Sequence, residues 1–266
     1  TQVAALSATQ AAGIETADLA VMSSTQLQAL SAKAVAGLTT GQVAALTTAQ
    51  VDKLTASQVS ALTTSQVLAL TTDQAQKLTT TQVAALSATQ VKALGTDDLA
   101  AFSSDQIRSL SVAGVGSMTT AQVAAITTAQ VDKLTVAQVQ ALTTGQVAAL
   151  TGDQIGKLTT TQVAALSAKQ IVGMETADLA ALSSDQLQAL SASAVAALST
   201  AQVASITTAQ VSKLTANQVK ALSATQVAAL TEAQVGELTT TQVSALSATQ
   251  VKAMETADVA KLSTSQ

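Results

Sequence analysis

Apolar and polar positions recur every eight residues along the whole chain, and the phase never slips. Thr39-Thr40-Gly41-Gln42-Val43-Ala44-Ala45-Leu46 serves as the type unit, and Thr47 to Leu54, Thr55 to Leu62 and Thr63 to Leu70 follow it directly. The eighth position is always a large apolar residue, from Leu6 and Ile14 to Met254 and Leu262. The fifth is Val, Ile or Leu, with Ala11 and Ala75 as exceptions. The first is Ser or Thr in nearly every unit, and the fourth is Gln in most.

A single continuous helix cannot carry this pattern. Eight residues at about 100° each turn through about 800°, so an apolar stripe would drift by about 80° per repeat. Something must reset the phase, and the first position is suited to it. Ser or Thr followed three residues later by Gln is the capping-box signature of a helix N-terminus. Thr39 with Gln42, Thr47 with Gln50 and Thr79 with Gln82 are such pairs. The pattern predicts an all-α solenoid of very short helices, one per octad, with Ser/Thr N-caps at the corners.

The helical wheel agrees. Positions 5 and 8 lie about 60° apart on one face, which makes Val43, Leu46, Val123 and Leu142 core residues. Positions 3, 6 and 7 point away and hold all 12 cations, among them Lys33, Lys53, Lys92 and Arg108. No charge of either sign falls on position 5 or 8. A β-solenoid is the rival, because Thr and Val favour strands. Against it, Ala, Leu and Gln favour helix, and the corners lack the Gly, Asn and Asp of tight β-turns.

One octad cannot fold alone, because a helix this short is unstable in water. Burying one Val and one Leu does not offset the ordering of eight residues. Units must therefore stack on neighbours, as in other solenoids. The chain reads as one continuous array over residues 1–266. It starts and ends in mid-repeat, so it is expected to be an excerpt of a longer array.

A longer period of eighty residues overlies the octad. Glu15-Thr16-Ala17-Asp18 recurs as Gly95-Thr96-Asp97-Asp98, Glu175-Thr176-Ala177-Asp178 and Glu255-Thr256-Ala257-Asp258. In phase with it, the octads at Ser31, Ser111 and Ser191 lack the Gln. Duplication of a gene segment explains this. So does a geometry in which ten octads complete whole turns, which would align the variants along one edge. On the second reading Glu15, Asp18, Asp98, Glu175, Asp178, Glu255 and Asp258 are candidate contact positions.

Composition narrows the chemistry. Apolar residues make up 48% and charged residues 11%, enough aliphatic surface for a core and too little charge for a disordered chain. A net charge of -4 argues against nucleic acid, which needs a clustered basic footprint. The chain has no Cys and so no disulfide or thiolate metal site. A hydroxyl every few residues keeps apolar runs short of the ~18 residues of a membrane span, and no signal peptide is visible. The Gln row has two readings, as helix caps or as a ladder of side chains along the axis. The recurrent Asp residues are read as caps at helix N-termini in preference to calcium ligands, because no EF-hand or Gly-rich nonapeptide accompanies them. Phe102, Met22, Met118, Met174 and Met254 fall on position 8 and fill the core. No nucleophile sits beside a base and no phosphate loop is present, so neither catalysis, nor a cofactor, nor a metal is expected.

The iterated run Leu38-Thr39-Thr40-Gly41-Gln42-Val43-Ala44-Ala45-Leu46 resembles the Thr/Ala/Gln-rich octad tracts of large secreted surface proteins of Gram-negative bacteria, often grouped with adhesins. The resemblance covers the whole chain. It implies export, an extracellular or cell-surface location, and a role as a long fibre or stalk, with other surface or matrix components as further partners. The opening of each octad also looks like the first helix of TAL-effector repeats. Those are about four times longer and basic, so DNA binding is not expected. The expected function is a structural, filament- or stalk-forming protein that self-assembles or presents an adhesive surface. A binding scaffold for another protein and an ice-binding Thr array are the alternatives.

Overall fold

The computed structural model describes residues 2–266, and its architecture is the all-α one the octad predicts. The described residues form 32 α-helices of four to six residues, after one 3₁₀ turn at Gln2–Ala5, and no strand. Helices and corners follow the octad throughout. Thr40–Ala45, Thr48–Lys53 and Ala56–Ala61 each occupy positions 2 to 7.

The corner is built from positions 8 and 1. Leu46 has φ -58° and ψ 136°, and Thr47 has φ -69° and ψ 155°, so two consecutive residues are extended. The N–H of Leu46 closes the preceding helix on the carbonyl of Val43 at 3.2 Å, a 3₁₀-type last turn. No described residue has a positive φ. The corner therefore needs no glycine, which is why Leu-Thr and Leu-Ser can make it repeatedly.

The chain divides into two compact units, Thr1–Ala141 and Leu142–Gln266. In each unit every helix packs against the third helix after it. One coil thus takes three octads, or 24 residues, and each unit has three sides of stacked helices. In the first unit one side comprises Thr16–Val21, Thr40–Ala45, Thr64–Leu68, Ala88–Ala93, Val112–Ser117 and Val136–Ala141. In the second, one side comprises Thr144–Ala148, Ala168–Val172, Ala192–Ala196, Ala216–Ala221 and Thr240–Ala245.

Positions 5 and 8 fill the interior of the coils. Val43 and Val123 are each 1% exposed, Leu46 and Leu142 each 5%. Phe102, Met118, Met174 and Met254 are buried with them. Cores of this kind gain their stability from neighbouring coils.

The eighty-residue period does not run along one edge. Ten octads make three coils and one helix more, so each recurrence moves to a different side. Within the first unit the octads at Glu15 and Gly95 lie on different sides, and within the second so do those at Glu175 and Glu255. Ten octads therefore do not complete whole turns, and the variants are not aligned along one edge.

Candidate functional site

The most regular polar feature is the seam where corners of successive coils meet. At Thr39 the capping box is complete: the N–H of Gln42 donates to Thr39 Oγ1 (3.1 Å), and the N–H of Thr39 donates to Gln42 Oε1 (2.6 Å). That uses only half of the Gln amide. Gln42 Nε2 donates to the backbone carbonyls of Ala11 (3.0 Å), Ala12 (3.3 Å) and Ile14 (2.6 Å) in the preceding coil. Gln50 does the same to Leu19, Ala20 and Met22 while capping Thr47. Gln82 does so to Val51, Asp52 and Leu54 while capping Thr79. In the second unit Gln226 caps Ser223 and reaches Val195, Ala196 and Leu198.

Capping and stacking are therefore one interaction rather than alternatives. The side chains do not bond to one another as a ladder; each donates to backbone. The chemistry explains why Gln is used. A buried amide must satisfy an acceptor and two donors, and here Oε1 meets an orphan N–H at a helix start while Nε2 meets orphan carbonyls at a helix end. Gln42, Gln50 and Gln82 are accordingly buried.

The variant octads at Gly95, Glu175 and Glu255 keep half of this device, whereas the Glu15 octad, with Asp18, forms no capping box. Asp98 Oδ2 accepts from the N–H of Gly95 (3.1 Å), and Asp98 Oδ1 accepts from the Thr72 hydroxyl (3.0 Å). Asp178 and Asp258 accept likewise from the N–H groups of Glu175 (3.0 Å) and Glu255 (3.1 Å). A carboxylate has no donor, so it caps without reaching the carbonyls of the preceding coil, and Asp98 meets that coil by accepting from Thr72 instead. Asp98, Asp178 and Asp258 are buried, and only Glu15, Asp18, Glu175 and Glu255 of the acidic contact candidates are exposed. Burial pushes the Asp178 carboxyl above the usual carboxylate range, and the nearby Glu175 charge adds to this. The Glu175 N–H pulls the other way.

At the Gln-less octads the hydroxyl of Ser31, Ser111 or Ser191 still accepts from the backbone N–H three residues on. At the octad of Ser111 a different hydroxyl bridges the coils, with Ser117 Oγ donating to the Ala88 carbonyl at 2.7 Å.

Ala45-Leu46-Thr47-Thr48-Ala49-Gln50 thus spans one functional joint: the end of a helix, its corner and the next capping box. The ALTTAQ repeat family model matches residues 11–48, 91–128, 99–136, 123–160, 171–208 and 203–240, together about two thirds of the chain. The chain belongs to the ALTTAQ repeat family. No curated protein matches it. In this ALTTAQ repeat chain the ion pairs are exposed and few among the described residues. Asp52 pairs with Lys53 (2.6 Å), Asp132 with Lys133 (3.0 Å) and Glu232 with Lys261 (3.2 Å). Exposed pairs contribute little to stability, so the ALTTAQ coils are held by aliphatic burial and the Gln seams. No described helix is long and apolar enough to cross a membrane.

Proposed function

We infer that this ALTTAQ repeat chain is a structural element, a filament- or stalk-forming repeat that assembles with copies of itself. The observation that supports this most is the seam. In most octads one Gln joins its coil to the one before through backbone atoms, so the joint is indifferent to the outward side chains and suits an array extended by repetition. Outward positions 3, 6 and 7 are dominated by Ala, Gly, Ser and Thr. Such a surface lacks the charge that keeps rods apart, and weak contacts repeated at every coil add by multivalency. The resemblance to octad tracts of exported bacterial surface proteins supports an extracellular, adhesin-like setting. Light scattering with negative-stain microscopy tests the reading. Concentration-dependent fibres or bundles are expected, and a dispersed monomer at high concentration refutes it.

One observation bears on the ice-binding alternative. Thr48, Thr72, Thr96 and Thr120 recur at position 2 of successive coils on one side of the first unit. Asp52, Lys53, Asp73 and Lys77 share that side, and Thr72 turns its hydroxyl to Asp98. A flat, uncharged Thr array is not formed there, so self-assembly is the better-supported reading.

A further inference from the structure

Five aliphatic residues break the rule that Leu and Val occupy positions 5 and 8. They are Val21, Leu68, Val112, Val136 and Val172, and Leu68 is the one leucine of the chain outside those positions. All five are exposed, Leu68 at 65% and Val172 at 53%. In the first unit Val21, Leu68, Val112 and Val136 all lie on a single side, and the other two sides carry none.

That side also carries the fewest charges of the three, with Asp18 on its first helix, Thr16–Val21. On its five helices from Thr40–Ala45 to Val136–Ala141, Lys92 is the one charged residue, whereas Asp and Lys or Arg mix on the other two. The helices eighty residues on form a side of the second unit that is again poor in charge, although the outward aliphatics differ: Leu68, Val112 and Val136 correspond to Ala148, Ala192 and Ala216, and Val172 to Lys92. There the side from Thr144–Ala148 to Thr240–Ala245 carries Lys169 and Lys220 and no acid, and it holds Val172. Beside Val172 lies an apolar groove lined by Thr144, Ala168, Lys169 and Ala197. A Cβ at Gly173 would collide with Thr144, so the bare glycine lets the two coils close beneath the groove.

We propose that the chain's copies join through these two faces, with Leu68 of one copy seated in the Val172 groove of the next. The inference rests on the self-assembly reading and names its contact. Faces this poor in charge offer little to a charged partner, and both are present on every copy. A knob on one patch and a groove on another make a heterologous contact, which passes from copy to copy rather than pairing two copies about a two-fold axis. The area is sufficient. An octad is about 12 Å long in helical rise, and five stacked helices at about 8–10 Å spacing give a face near 500 Å². Two such faces bury about 1,000 Å², the minimum expected of a biological interface.

The full chain carrying Leu68→Asp and Val172→Asp tests this against Ala84→Asp, an exposed position 6 on a side without outward aliphatics. Sedimentation velocity should return the double variant as a monomer, with unchanged helical circular dichroism, at concentrations where wild type and Ala84→Asp assemble. Because the chain has no cysteine, a positive readout is also available. Mixing Leu68→Cys with Val172→Cys chains under mild oxidation should give mixed disulfide dimers, and mixing Leu68→Cys with Ala84→Cys should give few. Assembly of the double variant at wild-type concentrations, or equal cross-linking in both mixtures, overturns the face while leaving self-assembly standing. A monomeric wild type overturns both.

Discussion

Replacing Gln74 by Glu separates the two halves of the seam. Gln74 is buried. Its Oε1 accepts from the Thr71 N–H at 2.8 Å, and its Nε2 donates to the carbonyls of Val43 (2.9 Å), Ala44 (3.2 Å) and Leu46 (2.7 Å). A carboxylate keeps the cap and places oxygen against three carbonyl oxygens. Each lost bond is worth about 0.5–1.5 kcal/mol net, and a buried polar group left unpaired costs about 1–3 kcal/mol. With an uncompensated buried charge added, Gln74→Glu should cost about 3–5 kcal/mol at neutral pH. Thr71→Ala, which removes only the hydroxyl half of the cap, should cost about 1 kcal/mol. Gln74→Asp should fall between them, because the shorter side chain caps as Asp98 does without pressing on the carbonyls. The introduced Glu carboxyl has a folded-state pKa raised above its ordinary value of about 4.3. Its protonated form is a donor, so the deficit should shrink as pH falls through the raised value. Urea unfolding followed by far-UV circular dichroism gives the magnitudes. Hydrogen exchange of the 39–46 and 71–78 octads gives the location, since a solenoid can open locally. If Gln74→Glu costs no more than Thr71→Ala at neutral pH, the Nε2 bonds do not hold the coils.

Other consequences follow from the same geometry. Asp178 has its folded-state pKa raised by burial, so its protonated form stabilises the fold below the ordinary carboxylate value of about 3.9, and that contribution is lost as pH rises through the folded value; Asp178→Asn should flatten this part of a urea-midpoint-against-pH curve. Ala194→Gln supplies the missing seam of the Ser191 octad toward the carbonyls of Val163, Ala164 and Leu166. It should stabilise the second unit by about 1–2 kcal/mol, read as a raised urea midpoint. Leu142→Asp buries a charge at a site 5% exposed and should cost about 3 kcal/mol or more. Lys133→Asp loses only an exposed pair with Asp132 and should cost under about 1 kcal/mol; equal losses in thermal melts would mean the apolar face is misassigned.

Much of the local structure was legible because it depends on neighbours within eight residues. Thr39 and Gln42 announce a helix start through spacing alone, and Val43 and Leu46 mark one face by periodicity. The number of octads per coil was not legible, since the angle between helices is set by how Val and Leu pack against a coil three helices away. The eighty-residue variants therefore suggested one edge, and the three-helix coil places them on different sides. The second half of the Gln amide was hidden for the same reason: its partners, such as Ala11 and Ile14 for Gln42, lie about four octads back. The outward residues Leu68 and Val172 were visible in the octad register as departures from it. Only the three-sided coil sorts them onto the faces that carry the fewest charges.

Whether the chain builds itself into an array is tested most directly by sedimentation velocity of the unmodified chain over a wide concentration series, with negative-stain images taken at the upper end. A weight-average size that climbs with concentration is expected, with fibres or bundles in the images. A single sharp monomer boundary at every concentration, with dispersed particles and no fibres, would contradict it.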